Sequence, residues 1–123
     1  MADIYLYFNP EVVPSEPVRD FRDALRFGVA ENLTSQDSGG QLTPDGISLH
    51  AQAFGPLDLP VKDVEVTIIV NDLPGRRANL DERRHVIAMY VKSWLPLGAT
   101  ADILVSLQSG SYEEIQGAGR MRH

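Results

Sequence analysis

The chain has 123 residues, 43% of them hydrophobic and 23% charged, which is the balance of an ordinary globular protein and excludes a disordered tail, a fibre or a coiled coil. Seventeen acidic residues against eleven basic ones give a net charge of −6, so phosphate backbones and anionic lipid would repel it and neither nucleic acid nor membrane is expected as a partner. Cysteine is absent, which removes disulfides, thiolate metal sites and thiol catalysis; without a long apolar run or a basic-then-apolar start, the expected location is cytoplasmic.

Ile4-Tyr5-Leu6-Tyr7-Phe8 reads as a buried strand stopped by Asn9-Pro10. Ser15 is placed to cap a helix, with Pro17 in its first turn, where no backbone N–H is required. Val18, Phe21, Leu25, Val29 and Leu33 then form one apolar stripe at helical period. Thr34 to Gly46, rich in Ser, Gln, Gly and Asp, reads as a long loop. Ile47, Leu49, Ala51 and Ala53 alternate with Ser48, His50 and Gln52, the signature of a half-buried strand. Gly55-Pro56 ends it, and Val64 to Val70 supplies another strand with a continuous apolar core. After the turn Asn71 to Gly75, Asn79 with Glu82 three residues on reads as a capping box. Leu80, Ile87, Val91 and Trp94 make the stripe of the helix it opens, which Pro96 and Gly98 stop. Ala101 to Leu107 alternates weakly as a last strand, and 111–123 is a polar tail.

The order is strand-helix-strand twice, with halves about 1–55 and 60–110 inside a single domain 1–123. Such units favour parallel neighbours joined right-handedly. The expected class is therefore α/β, with two β-α-β units forming a four-stranded sheet and both helices on one face. A ferredoxin-like α+β arrangement has a similar element order and is the competing fold. The second face of the sheet has nothing left to cover it, so self-association is expected. Phe27, Val86 and Met89 lie off the helical stripes, either as contact residues or as the scattered surface apolars that any protein carries.

Chemistry narrows to a few residues. The sequence has no phosphate loop, dinucleotide fingerprint or nucleophile elbow. His50, His85 and His123 are far apart and none stands at ligand spacing from another His, so no metal site is expected. Gly75-Arg76-Arg77 leaves a strand and enters a helix. The arginine pair either grips a carboxylate bidentately or forms a solvated turn among Asp72, Asp81 and Glu82. His50 shares its strand face with Ser48 and Gln52, so it lines either a site wall or a solvent face.

The stretch from Val64 to Glu114 resembles the tautomerase superfamily, most of all its 5-carboxymethyl-2-hydroxymuconate isomerases. The likeness rests on the strand Val64 to Val70, Gly75-Arg76 after it, the helix opening Asn79-Leu80-Asp81-Glu82-Arg83, the strand Ala101 to Leu107 and the turn at Glu113-Glu114. The resemblance implies a homotrimer of β-α-β pairs that moves a proton along an unsaturated keto or enol acid with no cofactor. In that family an amino-terminal proline is the base and arginines hold the substrate's carboxylates. Here position 2 is Ala2, which after loss of Met1 offers only a primary amine. His50 stands nearest the place of the family's second-strand arginine. The resemblance thus assigns Ala2 and His50 to catalysis and Arg76 and Arg77 to binding a small carboxylate-bearing molecule. The alternative is a non-catalytic ligand-binding or assembly member that has lost the proline base.

Overall fold

Alternation along the strands decides which face of the sheet is covered. In the computed structural model, which describes residues 2–111 and 113–119, β1 (Ala2–Phe8) buries Ala2, Ile4, Leu6 and Phe8 and turns Asp3, Tyr5 and Tyr7 to the other side. β3 (Val64–Asn71) buries Val64, Val66, Ile68 and Val70 in the same manner. Their sequences read as strands enclosed on both faces, but Tyr5, Tyr7, Thr67 and Ile69 project to the uncovered face, where aromatic and β-branched side chains suit a half-exposed pleat.

β2 (Ile47–Ala53) pairs parallel with β1, β4 (Ala101–Gln108) pairs parallel with β3, and β1 and β3 meet antiparallel in the centre. The order β2-β1-β3-β4 relates the two halves by an approximate twofold axis between β1 and β3. Because β2 bonds directly to β1, no strand splits the β-α-β unit, and the ferredoxin-like alternative is set aside. The architecture is mixed α/β, one open four-stranded sheet backed by helices.

α1 (Ser15–Leu33) delivers its whole stripe, Val18, Phe21, Leu25, Val29 and Leu33, to the core. A one-turn helix, α2 (Pro74–Arg77), precedes α3 (Leu80–Trp94), which buries Ile87 and Val91 and leaves Leu80 and Trp94 partly covered. The two long helices run antiparallel, with Phe21 against Trp94 at 5.3 Å between ring centroids and Arg83 beside the last turn of α1. Neither long helix starts as its sequence suggests. Ser15 is the first helical residue, behind Pro14, and makes no capping bond. The Asn79 side chain accepts from Arg83 Nε at 2.6 Å instead of capping α3, so the box with Glu82 does not form.

Across the uncovered face the register lines up Ser48, Asp3, Ile69 and Ser106, then His50, Tyr5, Thr67 and Leu104, then Gln52, Tyr7, Glu65 and Asp102. On the helical side Phe27, Val86 and Met89 are exposed, as their offsets predict. No helix among the described residues is long and apolar enough to cross a membrane. Residues 109–111 and 113–119 form neither helix nor strand; Met1, Arg120, Arg122 and His123 lie outside the described residues.

Candidate functional site

One end of the sheet gathers most of the residues singled out by sequence. There β1 begins, with Ala2 flanked by Ile47 and Val70, and β3 ends one residue further on at Asn71. The connection out of β3 through α2 brings Arg76 and Arg77 to this end, and the loop between α1 and β2 folds over it.

Arg76 is completely buried. Its Nε donates to Leu33 O at 2.6 Å, Nη1 to Asn71 O at 3.0 Å and Asn71 Oδ1 at 2.7 Å, and Nη2 to Gly40 O at 3.0 Å. A guanidinium has five N–H donors, so four of them hold this chain's own oxygens. No carboxylate is within ion-pair distance of it among the described residues. Its charge is met in another way. α1 has no basic residue in its last turn, and helix C-termini carry unpaired carbonyls and a partial negative charge. Arg76 serves Leu33 there, while Arg83 Nη1 serves Asn32 O at 2.9 Å and Thr34 O at 2.7 Å. Two arginines from the second half of the chain thus cap the helix of the first. Burial, and next the neighbouring Arg83 charge, push the Arg76 guanidinium below its ordinary value, with Asp37 opposing.

Asp37, which its sequence context hides in a polar loop, is the carboxylate facing this cation. Its Oδ2 accepts from Ser35 Oγ at 2.5 Å and from Gly75 N at 2.8 Å. The Ser35 hydroxyl first, then the Gly75 N–H, then Arg76 and Arg77 hold it below the usual carboxylate range, against the opposing effect of burial. The Ser-x-Asp spacing before Gly39-Gly40 was the available signal, since a short polar side chain two residues away is a common loop clasp. A Cβ at Gly75 would collide with Ser35 Oγ and sit 2.6 Å from Asp37 Oδ2, so the clasp between these side chains would have to shift.

Arg77 is the guanidinium open to solvent, its side chain 59% exposed, with Nε on Asp72 Oδ1 at 2.7 Å. An exposed pair of this kind is weak, so a competing carboxylate can displace Asp72. Ala2, Arg76 and Arg77 therefore share one end of the sheet, and His50 does not. It lies on the uncovered face opposite Tyr5, three pairs along β1 from Ala2, with its ring stacked on Tyr5 at 5.1 Å. At the opposite end of the sheet, Phe8, Val13, Phe21, Val64, Trp94 and Pro96 line a wholly apolar cavity of about 90 Å³. Among the described residues no three potential metal ligands converge.

Several solved structures share this architecture. FG41 malonate semialdehyde decarboxylase inhibited by 3-bromopropiolate superposes with a TM-score of 0.63 at 16% identity, over 94% of this chain and 90% of that one. A fused 4-OT symmetric trimer gives 0.58 at 12% identity, over 86% and 85%. A 5-carboxymethyl-2-hydroxymuconate delta-isomerase gives 0.55 at 13% identity, over 95% and 89%. At these identities the likeness is one of fold. No protein-family model and no curated protein matches the sequence.

Proposed function

We propose that the protein is a cytoplasmic, cofactor-independent tautomerase-like homotrimer that binds a small carboxylate-bearing molecule at the end of the sheet where β1 begins and shifts a proton on it. The observation that carries this reading is the pairing of an exposed Arg77 with a wholly buried Arg76 at that end. Arg77 makes first contact with the acid and exchanges Asp72 for it. Arg76, its N–H groups largely committed to main-chain oxygens, adds positive field and holds the loop and the turn in place. The acids associated with two proteins of similar fold support a carboxylate: malonate semialdehyde and 3-bromopropiolate for one, 5-carboxymethyl-2-hydroxymuconate for the other. The symmetric trimer of the fused 4-OT supports the assembly.

For the proton shift, the base in this proposal is the amine of Ala2 once Met1 is removed. The position is buried, and desolvation pulls an amine below its ordinary range, which leaves it free to accept a proton at neutral pH. Being primary, it can also condense with a carbonyl substrate as a Schiff base. Cations nearby stabilise the enolate formed between proton removal and return. His50, exposed on the other face, acts in this reading only if a neighbouring copy brings a ligand to it.

The test is ketonisation of phenylpyruvate and of 2-hydroxymuconate, with calorimetric titration of the same acids and intact mass to fix the state of residue 1. Arg77→Ala should weaken binding about tenfold or more, the cost of losing one charge-assisted contact of roughly 1.5–3 kcal/mol. Unchanged binding of every carboxylate would remove Arg77 from the site. Binding without turnover would select the ligand-binding alternative.

A further inference from the structure

The apolar cavity at the end of the sheet away from Ala2 is space that the folded chain leaves unfilled. Its floor is Leu6 and Phe8 of β1 with Val64 of β3, and its walls are Val18 and Phe21 of α1 with Trp94 at the end of α3. Val13 and three prolines, Pro14, Pro17 and Pro96, complete it. The floor, Val13 and the α1 wall are buried, whereas the prolines are exposed. The space is therefore apolar at depth and meets water at a rim of prolines, whose fixed φ resists folding inward. It lies on the helical side of the sheet, away from the face that self-association would cover.

What can occupy it follows from the hydrogen-bonding groups that remain. A buried water needs about two to four polar partners, and here the main-chain N–H groups are already spent. Val13 N donates to Asn9 O at 2.8 Å, Val18 N to Pro14 O at 3.3 Å, Val64 N to Thr100 O at 3.0 Å and Leu95 N to Val91 O at 3.2 Å. Leu6 and Phe8 belong to a central strand, flanked by β2 and β3, and the prolines have no N–H to give. Among the lining side chains only the Trp94 indole carries a polar atom. A charged or strongly polar group would lose its hydration with nothing in return, so the space suits carbon. An apolar cavity of roughly 150 Å³ takes up benzene. At the same ratio of space to atoms, the cavity of about 90 Å³ takes roughly three or four carbon atoms.

We propose that this cavity is a binding site for a short uncharged alkyl chain, which enters methyl end first and leaves any polar group in water between the prolines. The site uses no residue of the cationic end. It stands whether or not the chain binds an acid there.

Trp94 is the sole tryptophan of the chain and lines the cavity, so its fluorescence reports occupancy directly. Titration of the full chain with n-butanol should give a saturable change with a Kd on the order of 1 mM, the range open to so small a ligand. The terminal diol of the same chain length, polar at both ends, should give only a linear solvent response. Val13→Phe places a ring in the cavity from the link between β1 and α1, and should abolish the saturable change while keeping the circular dichroism of wild type. A second readout needs no variant, and decides alone if Val13→Phe does not fold. Xenon dissolved under pressure should shift the methyl resonances of Leu6, Val13, Val18 and Val64 ahead of those elsewhere in the core. A butanol response that never saturates, that the diol reproduces, or that survives in folded Val13→Phe overturns the site. So do xenon shifts that spare those four residues.

Discussion

Removing the guanidinium at position 76 is expected to be among the most damaging single changes at the charged end of the sheet. Arg76→Met keeps much of the stem and deletes the donors to Leu33 O, Gly40 O, Asn71 O and Asn71 Oδ1. An unsatisfied buried acceptor costs roughly 1–3 kcal/mol, so four would cost about 4–12 if nothing relaxed. Water entering the vacated space and relief from burying a charge recover part of that. Breaking a buried charged network by removing one partner typically costs about 3–5 kcal/mol, the figure expected here. It is a large share of a total stability on the order of 5–15 kcal/mol, and at roughly 4 °C per kcal/mol for a chain of this size it lowers Tm by about 12–20 °C. The chain has one tryptophan, Trp94, packed on Phe21. Urea unfolding followed by its fluorescence and by circular dichroism gives the midpoint, with slope unchanged if the native state is intact. Arg76→Lys, able to satisfy only part of the four acceptors, should fall between wild type and Arg76→Met. Arg77→Ala, which removes an exposed pair, should stay within about 1 kcal/mol of wild type. If Arg76→Met also stayed within about 1 kcal/mol, the clamp assigned to Arg76 would be refuted.

Gly75→Ala should cost about 1–3 kcal/mol through overpacking and expel Asp37 from the turn, seen as faster proteolysis within residues 34–46; unchanged cleavage would show the contact to be dispensable. Asp37 has a depressed carboxyl pKa in the folded chain, so its contribution is fully present above the unfolded value of about 3.9 and is lost as pH falls through the folded one. The stability gap between wild type and Asp37→Asn should therefore be widest near neutral pH and close in acid below about pH 4, whereas a gap constant with pH would contradict the assignment. Leu25→Ala, at a fully buried position of the α1 stripe, should cost about 2–5 kcal/mol. Phe27→Ala, on the exposed side of the same helix, should change the stability of the monomer by no more than about 0.5 kcal/mol.

Helices were legible because their packing is local in sequence. The stripe from Val18 to Leu33 can satisfy its period only by facing one surface, and that surface is the sheet. The alternation from Ile47 to Ala53 announced β2 for the same reason. The antiparallel centre was not legible, since nothing in β1 or β3 names its partner until both are assembled. Arg76 shows the sharper limit. Gly75-Arg76 marked the right place, but three of the four partners of the guanidinium are main-chain oxygens, of residues 33, 40 and 71, and a carbonyl leaves no trace in the identity of its residue. Asp37 escaped for a related reason: its clasp on Gly75 closes only when a polar loop folds back over a turn 38 positions away. His50 was placed on the right strand face, yet sequence could not show that this face lies away from the side on which Ala2 is buried.

The approximate dyad through the centre of the sheet makes the two ends of the molecule counterparts. What the start of β1 is to the charged end, the start of β3 at Val64 is to the end that holds the apolar cavity. The frame is the same at both, and the difference is written in two short links: Asp72 to Asn79 carries both arginines, while Asn9 to Pro14 carries none and lends Val13 and Pro14 to the cavity wall. A duplicated scaffold of this sort separates architecture from affinity. Its halves can keep one design while a few residues between strand and helix decide whether a given end is cationic or apolar.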